Sequence, residues 1–155
     1  MDQLFRLLGF LPVIFFLAHL GYHFSEETPQ HMLWMCNISN ITLAAGLFLN
    51  SPVLIRIAAI WFIPGLPLWI MDMLNTTEDP ISTFLSHIGG LTVSMIALHR
   101  VRADRISWLY AVLYGLVIQQ ICRFFTTPAL NVNVAFAPYY GWERVFDLEA
   151  LQKLL

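Results

Sequence analysis

The chain has 155 residues, of which 58% are apolar and 12% charged, and its formal net charge is -2. Soluble domains carry roughly 45–50% apolar and about 25% charged residues, so this composition excludes a soluble fold. The basic residues form no tract to follow a phosphate backbone, so nucleic acid is not an expected partner, and two cysteines, Cys36 and Cys122, provide no disulfide framework or zinc-finger spacing.

The sequence predicts an all-α, polytopic transmembrane helical bundle. A hydrocarbon core about 30 Å thick takes roughly 20 apolar residues in a helix. About five stretches qualify, at 4–22, 31–49, 53–73, 81–98 and 106–125, which makes 1–125 a transmembrane domain and 126–155 a tail. Breaker clusters separate them, around Pro29, at Asn50-Ser51-Pro52, at 75–80 and at 99–105.

The first stretch lacks a small-residue cleavage site and contains Pro12, so it is expected to be a retained helix rather than a signal peptide. Near its end, His19 and His23 are spaced i, i+4 and share one face. The second stretch places Cys36 and Asn37 about 8–9 Å below its starting surface at 1.5 Å per residue, with Asn40 a turn further on. The third contains Pro64-Gly65-Leu66-Pro67, expected to kink the helix and free the carbonyls of Ile60 and Ile63, and it ends near Asp72. The fourth brings His87 to the depth of Cys36. Ser86, Gly90 and Ser94 form a small-residue face there, suited to close packing. The fifth carries Gln119, Gln120, Cys122 and Arg123. In the tail, Trp142, Val145, Phe146, Leu148 and Leu151 recur at helical spacing opposite charged residues. That pattern predicts an amphipathic helix over 142–155, lying in the membrane interface or docked on a partner or on the bundle.

Arg6, Arg56, Arg100, Arg102 and Arg105 fall on one side if the spans alternate, while Glu26, Glu27, Glu78 and Asp79 fall on the other. The positive-inside rule then places the amino terminus inside and the tail outside. A multi-pass cell-membrane protein is expected, with a bacterial inner membrane as the simplest host and membrane lipids as surroundings. A homo-oligomer or a membrane protein partner remains open.

Polar groups gather towards the outer ends of the spans. Ionisable groups within a bilayer usually face a bundle interior or a water-filled cavity. His19, His23, Asn37, Asn40, Asp72, Ser86, His87 and Gln119 are therefore expected to line an outward-facing polar pocket. Contact with headgroups and water also accounts for His23, His31 and His99, which lie near loop ends, but not for His87. A cysteine becomes a nucleophile when a nearby histidine stabilises its thiolate. Cys36 and His87 at matched depth permit that pairing, with Asn37, Asn40 or Ser86 as donors to a developing oxyanion. Acyl transfer or ester hydrolysis on a lipid would follow, and it needs no cofactor or metal.

The run from His31 to Ile38, HMLWMCNI, resembles the Leu-x-x-Cys-Asn segment that opens a helix in the bacterial YwaF-like integral membrane proteins. Pro64-Gly65-Leu66-Pro67-Leu68-Trp69 falls where that family turns through its next helix. Phe84-Leu85-Ser86-His87-Ile88-Gly89 is similar to its Phe-x-x-His-Gly stretch, and Asn131-Val132-Asn133 to its Thr-Asn-Tyr region. Relatives of that group include a lipid acyltransferase using a cysteine and a histidine, and membrane hydrolases of fatty-acid esters. The resemblance implies Cys36 as nucleophile and His87 as base. The chain departs from the family in lacking a final span, in carrying Trp34-Met35 before the cysteine, and in having Gly89 displaced by one position from the family's His-Gly pair.

Other readings compete. His19, His23, His87 and Asp72 are suitable metal-ligand types. A kinked third span and a polar vestibule suit a small transporter, although no inverted repeat is visible. A non-catalytic assembly subunit suits the small size and the tail helix. A redox role for Cys36 and Cys122 has no spacing to support it.

Overall fold

The computed structural model describes residues 3–74 and 80–137. The expected tail helix at 142–155 lies outside the described residues. Within them the chain is helical, with no strand. Helix α1 (Gln3–Leu7) and α2 (Phe10–Ser25) are followed by a short 3-10 turn (Pro29–Leu33), α3 (Met35–Phe48) and α4 (Pro52–Met73). Then come α5 (Pro80–Phe84), a π-helical turn (Leu85–Gly89), α6 (Gly90–Val101), α7 (Ser107–Phe125) and a 3-10 turn (Val132–Val134).

Four helical stretches are long and apolar enough to cross a membrane: Gln3–Ser25, Pro52–Met73, Ile81–Val101 and Ser107–Phe125. They make the chain a multi-pass membrane protein. The fifth expected span differs. Its first residues form the 3-10 turn, and α3 itself has 14 residues. At 1.5 Å per residue that is about 21 Å, so α3 is shorter than the other four, and the 3-10 turn before it extends the segment. Helix α3 is an inner helix. Asn37, Ser39, Asn40 and Thr42 are all buried on it, as polar side chains must be when lipid is the alternative solvent.

The ends of the helices follow from their sequences. The first stretch breaks at Leu8-Gly9, because Pro12 has no N–H to return to the Leu8 carbonyl. The break makes Pro12 the third residue of α2, where a missing donor costs little. Ser51 caps α4 and Pro52 occupies its first position. Helix α4 continues through both Pro64 and Pro67. Asp104 starts α7 by accepting the backbone N–H groups of Ile106 at 2.8 Å and Ser107 at 2.9 Å on Oδ1.

One of two apolar core clusters lies at the end rich in arginine. Phe5, Leu43, Leu47, Ile55, Ala58, Phe62, Val93 and Ala97 pack there from α1, α3, α4 and α6. Arg100 lies over the Phe5 ring at 4.9 Å. Arg56 donates to the carbonyls of Val101 at 3.0 Å and Arg102 at 2.7 Å and pairs with Asp104. These contacts bring the ends of α1, α4 and α6 together at one end of the bundle. The opposite end is more polar, and the cavity opens there.

Candidate functional site

A cavity of about 540 Å³ lies among α2, α3, α4, the π turn and α7. Helix α4 forms its longest wall. Trp61, Gly65, Leu68, Trp69 and Asp72 all line it, at the spacing of one helical face. From Trp61 to Asp72 the wall rises about 16 Å along the helix axis. Polarity is graded along that length. At one end lie Trp61, Val112, Gly115 and Leu116; at the other lie His19, His23, His31 and Asp72.

Cys36 enters the wall from the first turn of α3. Its Cβ lies 3.7 Å from the point where a side chain on Gly65 would begin, so the glycine leaves the space before the cysteine open. His87 enters from the π turn. Its Nδ1 donates to the Thr83 carbonyl at 2.9 Å, which makes Nε2 the basic atom of the neutral ring. Trp69 stacks on the imidazole, with centroids 4.9 Å apart and planes at 12°. One face and one edge of His87 are thereby fixed. Single π-helical turns recur at functional sites because the extra residue re-aims side chains and carbonyls.

Behind the cavity, a buried hydrogen-bond network holds α3 to the π turn. Asn40 Nδ2 donates to the Ser86 carbonyl at 3.0 Å and also lies within bonding distance of Ser86 Oγ at 3.1 Å and the Cys36 carbonyl at 3.2 Å. Ser86 Oγ donates to Asn37 Oδ1 at 2.8 Å, and Asn37 Nδ2 donates to the His31 carbonyl at 3.2 Å. Asn37 lines the cavity, whereas Asn40 and Ser86 are fully buried and stand behind its wall. Asn40 Nδ2 joins the backbones of α3 and the π turn, and the Ser86 hydroxyl joins the turn to Asn37, which fixes the register of Cys36 against His87.

His19 and His23 line the cavity and are buried, each 3% exposed. Their Nε2 atoms meet at 3.2 Å. The Nδ1 atoms lie 3.2 Å from Ser82 Oγ and 2.9 Å from Thr28 Oγ1 respectively. His23 therefore belongs to the bundle interior, not to headgroups and water. His31, on the 3-10 turn, also lines the cavity, with its ring 5.2 Å from that of His23. Asp72 is at the rim and exposed. Among the described residues no three His, Cys, Asp or Glu side chains converge as a metal-ligand set. Neither cysteine forms a disulfide.

Gln119 lines the cavity from α7 and donates to the Val134 carbonyl at 2.9 Å. That bond holds the segment after α7 against the site, where Asn133 and Val134 complete the wall. Trp61, Gly65, Trp69, His31 and Asn133 are wall residues beyond those expected from the sequence. The spacing of Trp61, Gly65 and Trp69, four residues apart, was the available signal for the α4 face.

The fold and the cavity define a helical, multi-pass membrane protein with a cavity whose lining is mostly apolar and becomes polar towards His19, His23 and Asp72. No family model, curated protein or solved structure matches the chain.

Proposed function

We propose that the protein transfers or hydrolyses the acyl group of a membrane lipid, with Cys36 as nucleophile and His87 as general base. The observation that carries this reading is that both side chains line one cavity of about 540 Å³ in a membrane bundle, with His87 fixed so that Nε2 is its basic atom. The position of Cys36 in the first turn of α3 adds to it, since a thiolate there lies at the positive end of the helix dipole. The same two residues are those that the resemblance to the YwaF-like group marks. The clustering of arginines at the opposite end supports a site on the non-cytoplasmic side.

In the reaction, His87 Nε2 takes the Cys36 thiol proton and Sγ attacks the ester carbonyl carbon. The ester C–O bond breaks and the departing alcohol receives the proton from His87, leaving a thioester on Cys36. Water or an acceptor hydroxyl then attacks the thioester. Its proton passes through His87 to Sγ, which restores the free thiol.

Intact-mass analysis of wild type, Cys36→Ala and His87→Ala, purified gently from membranes, tests the proposal. An added fatty-acyl mass is expected on wild type and absent from Cys36→Ala. Unmodified masses in all three after incubation with ester lipids would overturn it.

A further inference from the structure

The cavity has a feature that acyl chemistry at Cys36 does not require. Below Cys36, the gap between α4 and α7 is closed by one ring. Trp61 lies against the bare Cα of Gly115, where an added Cβ would come within 2.2 Å of Trp61 Cζ2. The indole Nε1 donates to the Ala111 carbonyl at 2.9 Å. Glycine at 115 is thus the condition for this ring position, and the hydrogen bond fixes the ring's rotation. Above the ring, Pro64 and Leu68 from α4 and Leu116 from α7 line the cavity and are also exposed on the side of the bundle; Val112, at the level of the ring, does the same. In a membrane protein that side meets hydrocarbon.

We infer that Trp61 and Gly115 form the floor of an acyl-chain subsite. A single lipid chain enters sideways between α4 and α7, with its polar end towards His19, His23 and Asp72. The indole stops the chain from passing deeper into the bundle and turns its end back towards the bilayer. Cys36 faces Gly65, one helical turn above Trp61, or about 6 Å along the axis. A chain whose ester lies at Cys36 therefore meets the floor soon after its carbonyl. That placement of the ester rests on the Cys36–His87 reading; the chain subsite itself does not.

Photo-crosslinking of the full-length Cys36→Ala protein in phosphatidylcholine vesicles tests the subsite without any acyl-enzyme chemistry. The probe is a phosphatidylcholine with a diazirine at the terminal carbon of one acyl chain. Crosslinks are expected on Val112, Leu116 and Trp61 in excess of those on Ile14 and Ile96, which are exposed elsewhere on the bundle. In Trp61→Ala the label is expected to advance to Ile57 and Ala58, which lie about a turn lower on α4 and are buried in the wild-type fold. In Gly115→Ala, whose Cβ cannot coexist with the present position of the indole, labelling of the three sites is expected to fall several-fold. Equal labelling of Ile14 and Ile96, or an unmoved pattern in folded Trp61→Ala, would overturn the inference. Cavity labelling in a protein that never carries an acyl mass would leave the subsite standing and remove the nucleophile.

Discussion

Asn133 caps the helix that carries Cys36 from 98 residues away: its Oδ1 accepts the backbone N–H of Met35 at 2.7 Å. Its Nδ2 donates to the Leu33 carbonyl, also at 2.7 Å, and approaches Cys122 Sγ at 3.2 Å. The residue adopts φ 54, a left-handed conformation that asparagine tolerates better than most side chains. One amide side chain thus closes both a donor and an acceptor at the start of α3. Asn133→Ala leaves both without it and is expected to destabilise the fold by about 1–3 kcal/mol. Asn133→Asp is expected to do no better, because it turns the donor towards Leu33 into a second acceptor. Thermal unfolding in detergent micelles reads both variants. Wild-type stability in either would show that the cap contributes nothing.

Gly90 allows α6 to approach α3 and α4. A Cβ there would lie 2.6 Å from both Asn40 Oδ1 and Phe62 Cζ, in the network that fixes the Cys36 register. Gly90→Ala is therefore expected to cost about 1–3 kcal/mol by overpacking. Gly21, on the exposed side of α2, meets nothing within 4 Å. Gly21→Ala is expected to be neutral or to stabilise by up to about 1 kcal/mol through helix propensity. Chemical denaturation of the two variants side by side separates the effects. A similar loss in both would mean that crowding at Gly90 is not the cause.

Much of this arrangement was legible in the sequence, and the limits have physical reasons. Apolar length and breaker clusters marked the long helices, because a bilayer demands both. Counted depth along the spans puts Cys36, His87, His19, His23, Asp72 and Gln119 at one end, and all of them line the cavity. Depth gives no rotation about a helix axis, so it could not tell that Asn40 and Ser86 point behind the wall. Nor could it tell that His23 turns inward to His19. Apolar content likewise concealed that α3 is a shorter, inner helix that starts only at Met35. The polar face of that helix was the clue, since Asn37, Asn40 and Thr42 had to be buried by neighbours. The reach of Asn133 back to Met35 depends on a chain turn with left-handed residues at Asn131, Asn133 and Val134, and no periodicity reports such a turn.

Asp104 sets a pH dependence outside the membrane. Hydrogen bonds from the Ile106 N–H and from Ser107 hold its carboxyl below the ordinary value, and Arg56 adds to the effect. A carboxyl lowered in the folded state binds its proton less readily there than in the unfolded chain. Its contribution is therefore complete at neutral pH and is lost as pH falls through the lowered folded value. Asp104→Asn is expected to melt below wild type at pH 7, with the gap closing in strong acid. Melting curves of both proteins over that range check it. A gap independent of pH would assign the difference to shape or packing rather than to charge.

Trp69 offers a way to separate the orientation of His87 from its chemistry. The indole covers one face of the imidazole, and Phe84 lies edge-on to the indole at 6.4 Å. Under the proposed reaction, His87→Ala removes the base and is expected to slow ester hydrolysis by about 10²- to 10⁴-fold. Trp69→Ala keeps the base and the Thr83 hydrogen bond but frees the ring to tilt. Small misplacement of a reacting group can cost about 10²-fold, so a loss approaching that size is expected. Trp69→Phe restores an aromatic face and is expected to recover most of the rate. Turnover of a medium-chain nitrophenyl ester in mixed micelles measures all three, with circular dichroism confirming that each is folded. If Trp69→Ala is as active as wild type while His87→Ala is inactive, the base needs no clamp. If both retain full activity, the cavity performs no chemistry through His87.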